Sequence, residues 1–183
     1  MTRVLVPVEV LKGKTVSPGL MNLLGTVGVT VLGYHILPEQ TPPDQARLQY
    51  EDRAIDALED LSQEFRTAGG AADYRLVFTH NRKQTIERVA DEINAGAIGI
   101  SGMTGDVDRI IVALSGDVAV DRILEFVEEL VGDREIDVTL FSTTETDDTD
   151  GRLDSAAKKL RAAGLDVQTE MVTEGGPFEG LMN

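Results

Sequence analysis

Residues 99–117 read GISGMTGDVDRIIVALSGD. Gly102 and Gly105 are spaced G-x-x-G, and Ser115 and Gly116 follow. Glycine-rich loops let backbone N–H groups close on a phosphate, and a helix N-terminus next to the loop adds a favourable dipole. That chemistry needs the chain beyond the loop to fold back over the anion. Nine helical residues span about 13 Å; nine extended residues span about 30 Å. Residues 106–114, DVDRIIVAL, hold five contiguous apolar residues. Several are β-branched and prefer a strand. The residue types therefore predict that Gly102 and Gly105 are turn glycines joining two strands.

Other reactive residue types are sparse. The chain has no cysteine, so a disulfide or a thiolate metal site is ruled out. Its two histidines, His35 and His80, are far apart in sequence, which disfavours a histidine metal site. His80, in THNRKQT, is expected in an exposed loop, with a pH-sensitive contact as the alternative. His35 falls at a strand end and reads as structural. Ser115 has no G-x-S-x-G elbow and no base at a recognisable spacing, and helix capping accounts for it. ETDDTDGRLD lacks the spacing of a calcium loop, and a solvated acidic loop is expected. No catalytic constellation is found, and no metal residue is assigned.

Composition narrows the class further. The net charge is −15, from 17 cations and 32 acids. So acidic a surface repels phosphate backbones, so nucleic acid is not an expected partner. Aromatic residues make up 4% of the chain, without tryptophan, which disfavours a base-stacking platform. Acidic self-repulsion is screened by salt, so a protein adapted to a salt-rich cytoplasm is expected. With 42% hydrophobic residues there is material for a sizeable core. No apolar run is long enough for a transmembrane helix, and no leader is expected at the N-terminus. The expected location is cytoplasmic.

Strand and helix patterns alternate. Apolar runs predict strands at 3–8, 29–37, 74–79 and 97–101. A short helix is expected at 18–24. A long one follows TPPD, with Thr41 as cap, Pro42 in the first turn and Asp44 in a capping box. Its apolar stripe reads Leu48, Ile55, Leu58, Leu61 and Phe65. A third helix is expected at 84–94. Then RIIVAL at 109–114 repeats the pattern of RVLVPV at 3–8. A helix at 118–131 capped by Asp117, a strand at 137–142, a polar loop, a helix at 152–163 and a strand at 167–172 complete the reading. The tail, TEGGPFEGLMN, has no expected element. The chain thus holds two related units, 1–106 and an abbreviated βαβαβ unit, 107–183. Repeated β-α units imply a mainly parallel sheet with helices on both faces.

RVLVPVEV, VTVLGYHILPE and RLVFTHNRKQTIERVADE together resemble the universal stress protein family. RIIVALSGDVAVDRILEFVEELV resembles the opening of a second such unit, so the chain is similar to a tandem, shortened member. Its acidity is similar to that of haloarchaeal members. The resemblance implies an α/β fold of the adenine nucleotide alpha hydrolase type, strand order 3-2-1-4-5, with a second partial repeat. It implies ATP as cofactor in members that bind nucleotide, and a homodimer. Carried over by position, the nucleotide-binding residues are Pro7, Glu9, Ile36, Gly102 and Gly105. Three departures stand out. Glu9 replaces an aspartate, and Thr104 stands where an arginine is common. Ser115 and Gly116 invert the Gly-Ser pair and come one position late.

The leading expectation is a non-enzymatic stress-response or regulatory protein with degraded or lost nucleotide binding. An ATP-binding stress protein, with slow hydrolysis at most, is the second. A soluble interaction domain associated with a membrane transporter is the third. The first unit lacks its own fourth helix and fifth strand, so its sheet edge needs a cover. Residues 109–114 or another chain, in a homodimer, are the expected sources.

Overall fold

The computed structural model describes residues 2–13, 15–100, 102, 105–114, 119–142 and 147–171. The chain divides into two compact units, Met1–Asp106 and Val107–Asn183.

The first unit is built on a four-stranded parallel sheet: β1 (Arg3–Glu9), β2 (Gly28–Ile36), β3 (Ala71–Thr79) and β4 (Ala97–Ile98), in the order β3-β2-β1-β4. Between the strands come α1 (Pro18–Leu23), α2 (Pro43–Thr67) and α3 (Arg82–Glu92). The steps β1 to β2 and β2 to β3 run the same way, so right-handed crossovers put α1 and α2 on one face. The return from β3 to β4 puts α3 on the other. Cross-contacts agree. Tyr74 on β3 donates its hydroxyl to Glu59 of α2, while Arg75, next along, pairs with Glu92 of α3 at 3.1 Å. Strand side chains alternate faces, which is why neighbours reach opposite helices.

The interior of β1 and β2 is mainly apolar on both faces, as burial on both sides requires, and the buried Thr30 hydroxyl donates to Asp73. Leu58 and Phe65 of α2 are fully buried against this sheet unit. Gly33 permits the approach, because a Cβ there would come within 2.6 Å of Leu58 Cδ1. Leu48 does not join the buried stripe; it is 91% exposed. At about 100° per residue it sits roughly 110° from the middle of the Ala54–Leu58–Leu61–Phe65 row. The start of α2 also differs from the expectation. Pro42 occupies the cap position with extended backbone and Pro43 begins the helix, so Thr41 lies outside it. A residue preceding proline is pushed out of the helical region, which excludes Pro42 from the first turn. β4 is shorter than expected. Gly96 and Gly99 flank its two residues, and glycine weakens a strand.

The second unit carries β5 (Arg109–Ala113), α4 (Val120–Val131), β6 (Asp137–Ser142), α5 (Asp147–Ala162) and β7 (Val167–Met171). Its parallel sheet runs β5-β6-β7. Residues 109–113 therefore pair with β6 and do not add a strand to the first sheet. Both crossovers step the same way, so right-handed connections place α4 and α5 on one face. Leu124, Val138, Leu140, Ala157 and Leu160 form the buried heart of this unit. α5 begins five residues before the expected start, taking in part of the polar loop. Asp117, the expected cap of α4, lies outside the described residues, as do 143–146 and 172–183. Ala119 takes the cap position of α4.

An ion pair ties α4 to α5: Lys159 Nζ lies 2.8 Å from Asp121 Oδ1. The hydrogen bond from Lys159, and then its charge, hold the Asp121 carboxyl below its ordinary pKa. A depressed carboxylate stabilises the fold above its unfolded pKa and loses that effect as pH falls through the lower folded value. Asp121→Asn is therefore expected to flatten the acid limb of stability below about pH 4. Urea midpoints across that range, wild type against variant, measure it; parallel curves would contradict it.

Candidate functional site

In an open α/β sheet, ligands bind beyond the carboxyl ends of the strands where the strand order reverses. In the first unit that point lies at β1, with β2 on one side and β4 on the other. The gap there has a local cause. Gly96 N donates to Arg3 O at 2.9 Å and Gly99 N to Leu5 O at 2.8 Å. Alternate residues of β1 thus face β4. Pro7, two residues after Leu5, turns its donorless nitrogen to the same side. The β1–β4 pairing ends at Leu5, whereas β1 stays paired with β2 as far as Glu9 and Tyr34. A proline in a central strand is tolerated where no ladder bond is lost.

Glu9, the last residue of β1, is only 5% exposed. A 3-10 turn, Val10–Lys12, follows it and closes on Gly13 at φ 66°. This turn brings Lys12 Nζ to 2.9 Å from Glu9 Oε1. A carboxylate taken out of water needs such a partner. Register sets Tyr34 beside Glu9. The Arg82 guanidinium, at the start of α3, lies over the Tyr34 ring, 5.6 Å from its centre, within cation–π range. Ile36, two residues on and on the same face, is 39% exposed at the rim. The edge therefore combines a buried, neutralised carboxylate, a cation over an aromatic ring and an apolar lip. Lys12, Tyr34 and Arg82 escaped the sequence reading. The E-x-x-K spacing after β1 was the available signal for Lys12; the Tyr34–Arg82 contact had none, since it depends on strand register.

Pro7, Glu9 and Ile36 are thus brought to one edge. Gly102 lies four residues beyond Ile98, as Glu9 lies four beyond its partner level, Leu5. Gly102 and Gly105 are exposed, with open space where a Cβ would stand. Neither glycine is forced by crowding. Thr104, Ser115 and Gly116 lie outside the described residues. Within 106–114, the stretch Arg109–Ala113 is strand β5. It runs extended, as its side chains predict, and belongs to the second sheet.

The histidines are both placed. His35 faces the α2 side, its ring 5.8 Å from Tyr50 and 6.4 Å from Phe78. Its Nδ1 is buried and finds no hydrogen-bond partner among the described residues. His80 is exposed in the β3–α3 loop, its Nδ1 3.3 Å from Leu37 O. A cavity of about 240 Å³ lies between the end of β1 and α2, floored by Val8, Val10 and Leu61. Asp60 and Glu64 line it too, and two carboxylates repel a phosphate chain. Among the described residues no group of three or more His, Asp or Glu side chains could hold a metal ion. Among them, too, no helix is long and apolar enough to cross a membrane. A scan against protein-family models finds none that matches the chain, and a search of curated proteins finds no match either.

Proposed function

We propose that the chain is a non-enzymatic regulatory protein of the universal stress type in which nucleotide binding is degraded or lost. One observation carries this reading. The residues after Gly105 form a strand, Arg109–Ala113, bonded to β6. A phosphate loop of the expected kind needs that stretch to turn back, with amides aimed at the anion. The Glu9–Lys12 pair points the same way, because the carboxylate that would meet a ligand hydroxyl already holds a cation.

Calorimetric titration with Mg-ATP in molar KCl tests the proposal. No binding up to millimolar nucleotide is the expected result. Saturable binding below about 1 mM, some −4 kcal/mol, would overturn it. That outcome would instead favour the second reading, an ATP-binding stress protein using Pro7, Glu9, Ile36, Gly102 and Gly105. The placement of Pro7, Glu9 and Ile36 at one sheet edge is its support.

A further inference from the structure

The cavity of about 240 Å³ between the end of β1 and α2 opens on the face of the sheet away from Glu9. Strand side chains alternate faces. Val8 pairs with Gly33, whose close neighbour is Leu58 of α2, so Val8 turns to that helix and Glu9 turns from it. Ala57, Asp60, Leu61 and Glu64 recur at helical spacing and share one face of α2. The hollow exists because two of its lining residues are small. Gly13 closes the 3-10 turn at φ 66° without a side chain, and Ala57 offers only a methyl group. The floor is apolar, since Val8, Val10 and Leu61 are all buried. The rim is anionic. Asp60 and Glu64 are exposed, and among the described residues neither makes an ion pair. Among those residues, too, no cation, histidine or aromatic ring lines the cavity. Lys14, between Gly13 and Thr15 of the lining, lies outside them.

We propose that this cavity binds a small aliphatic amine, with its ammonium group between Asp60 and Glu64 and its hydrocarbon body on Val8, Val10 and Leu61. Small-ligand sites combine an apolar lining with a few polar groups that fix orientation. The two carboxylates, one helical turn apart, select the charge. A cation relieves their mutual repulsion, and an anion adds to it. The floor selects the body. An alkyl group leaves water there, whereas a hydrated inorganic cation gains nothing from it. The cavity is smaller than the roughly 300 Å³ at which sites for drug-sized ligands begin, so the body is a few carbons long. Quaternary ammonium groups are held by aromatic cages, which this lining lacks, and a primary amine fits instead. The site is separate from Glu9 and Ile36, so it stands whether or not a nucleotide binds.

Isopentylammonium chloride is the probe, titrated into the full chain in about 0.1 M KCl, where screening sets in only over about 10 Å. The methyl NMR resonances of Val8, Val10 and Leu61 are expected to shift saturably, with a dissociation constant of about 1–10 mM. Isopentanol has the body without the charge, and ammonium chloride the charge without the body. Each is expected to bind about tenfold more weakly or less. Asp60→Asn/Glu64→Gln changes only exposed side chains and is expected to weaken the amine about tenfold, with an unchanged circular dichroism spectrum. Ala57→Leu fills the hollow, keeps both carboxylates and is expected to weaken it as much. Lys14→Ala is expected to bind as the wild type does. The proposal is overturned by a wild type without saturable shifts, or by equal affinity for the amine and either control. It is overturned equally by an Asp60→Asn/Glu64→Gln variant that binds as tightly as wild type, or by binding that appears only in Lys14→Ala.

Discussion

Phe65→Ala is expected to lower the unfolding free energy by about 3–5 kcal/mol. Phe65 is fully buried near the end of α2, among the largest of the fully buried side chains. Truncation removes the transfer free energy of the ring and leaves a cavity. The surroundings can close it only in part, because protein interiors are close-packed. The neighbouring turn is also pinned. Gly70 N donates to Phe65 O at 3.1 Å, and a Cβ at Gly25 would stand 2.7 Å from Ala68 O. The chain at the end of α2 thus has little room to shift inward. Leu48→Ala provides the contrast on the same helix. That side chain is 91% exposed, and its removal should change stability by less than about 0.5 kcal/mol. Urea denaturation followed by circular dichroism measures both. Equal losses at the two positions would mean that the inside and outside of α2 are misassigned.

The second large effect is electrostatic. Asp52, Asp56, Asp60 and Glu64 follow one another at intervals of four along α2, and all four are exposed. Residues four apart face each other on a helix, and a like-charged pair costs about 0.2–0.5 kcal/mol. Among the described residues none of the four makes an ion pair. The variant Asp56→Asn/Asp60→Asn removes all three repulsive neighbours at once. In dilute buffer it is expected to be more stable than wild type by about 0.6–1.5 kcal/mol. At molar KCl the Debye length falls to about 3 Å, and the difference should disappear. Wild type itself should melt higher in molar KCl than in dilute buffer, since screening acts on the whole net charge of −15. Melting curves of both proteins across a KCl series decide it. A wild type more stable in dilute buffer would contradict adaptation to salt.

Elements with a strong local period were readable at once. β1 and β2 are mainly apolar runs, β6 carries Val138, Leu140 and Phe141 between polar ends, and α4 alternates apolar and polar residues at helical spacing. Their patterns need only local backbone geometry. Legibility failed where the deciding partner is distant. Leu48 and Leu58 look alike in a sequence stripe, yet the orientation of α2 on the sheet buries only Leu58. β4 looks like five strand residues, but its pairing with β1 covers Val4 and Leu5 alone.

The candidate site divides in the same way. Pro7 and Glu9 are singled out only by the family resemblance, which carries them over by position at the end of β1. That Lys12 neutralises Glu9, and that Arg82 caps the Tyr34 ring, depended on a turn and on strand register. The G-x-x-G stretch shows the boundary most clearly. The sequence by itself determined that residues 109–113 are extended, because β-branched side chains disfavour a helix there. Only the tertiary structure decided which sheet they join. Strand propensity specifies a conformation and no partner. The partner is set by the connection through α4, which carries β6 back alongside β5 and buries Val138 and Leu140 in the same step.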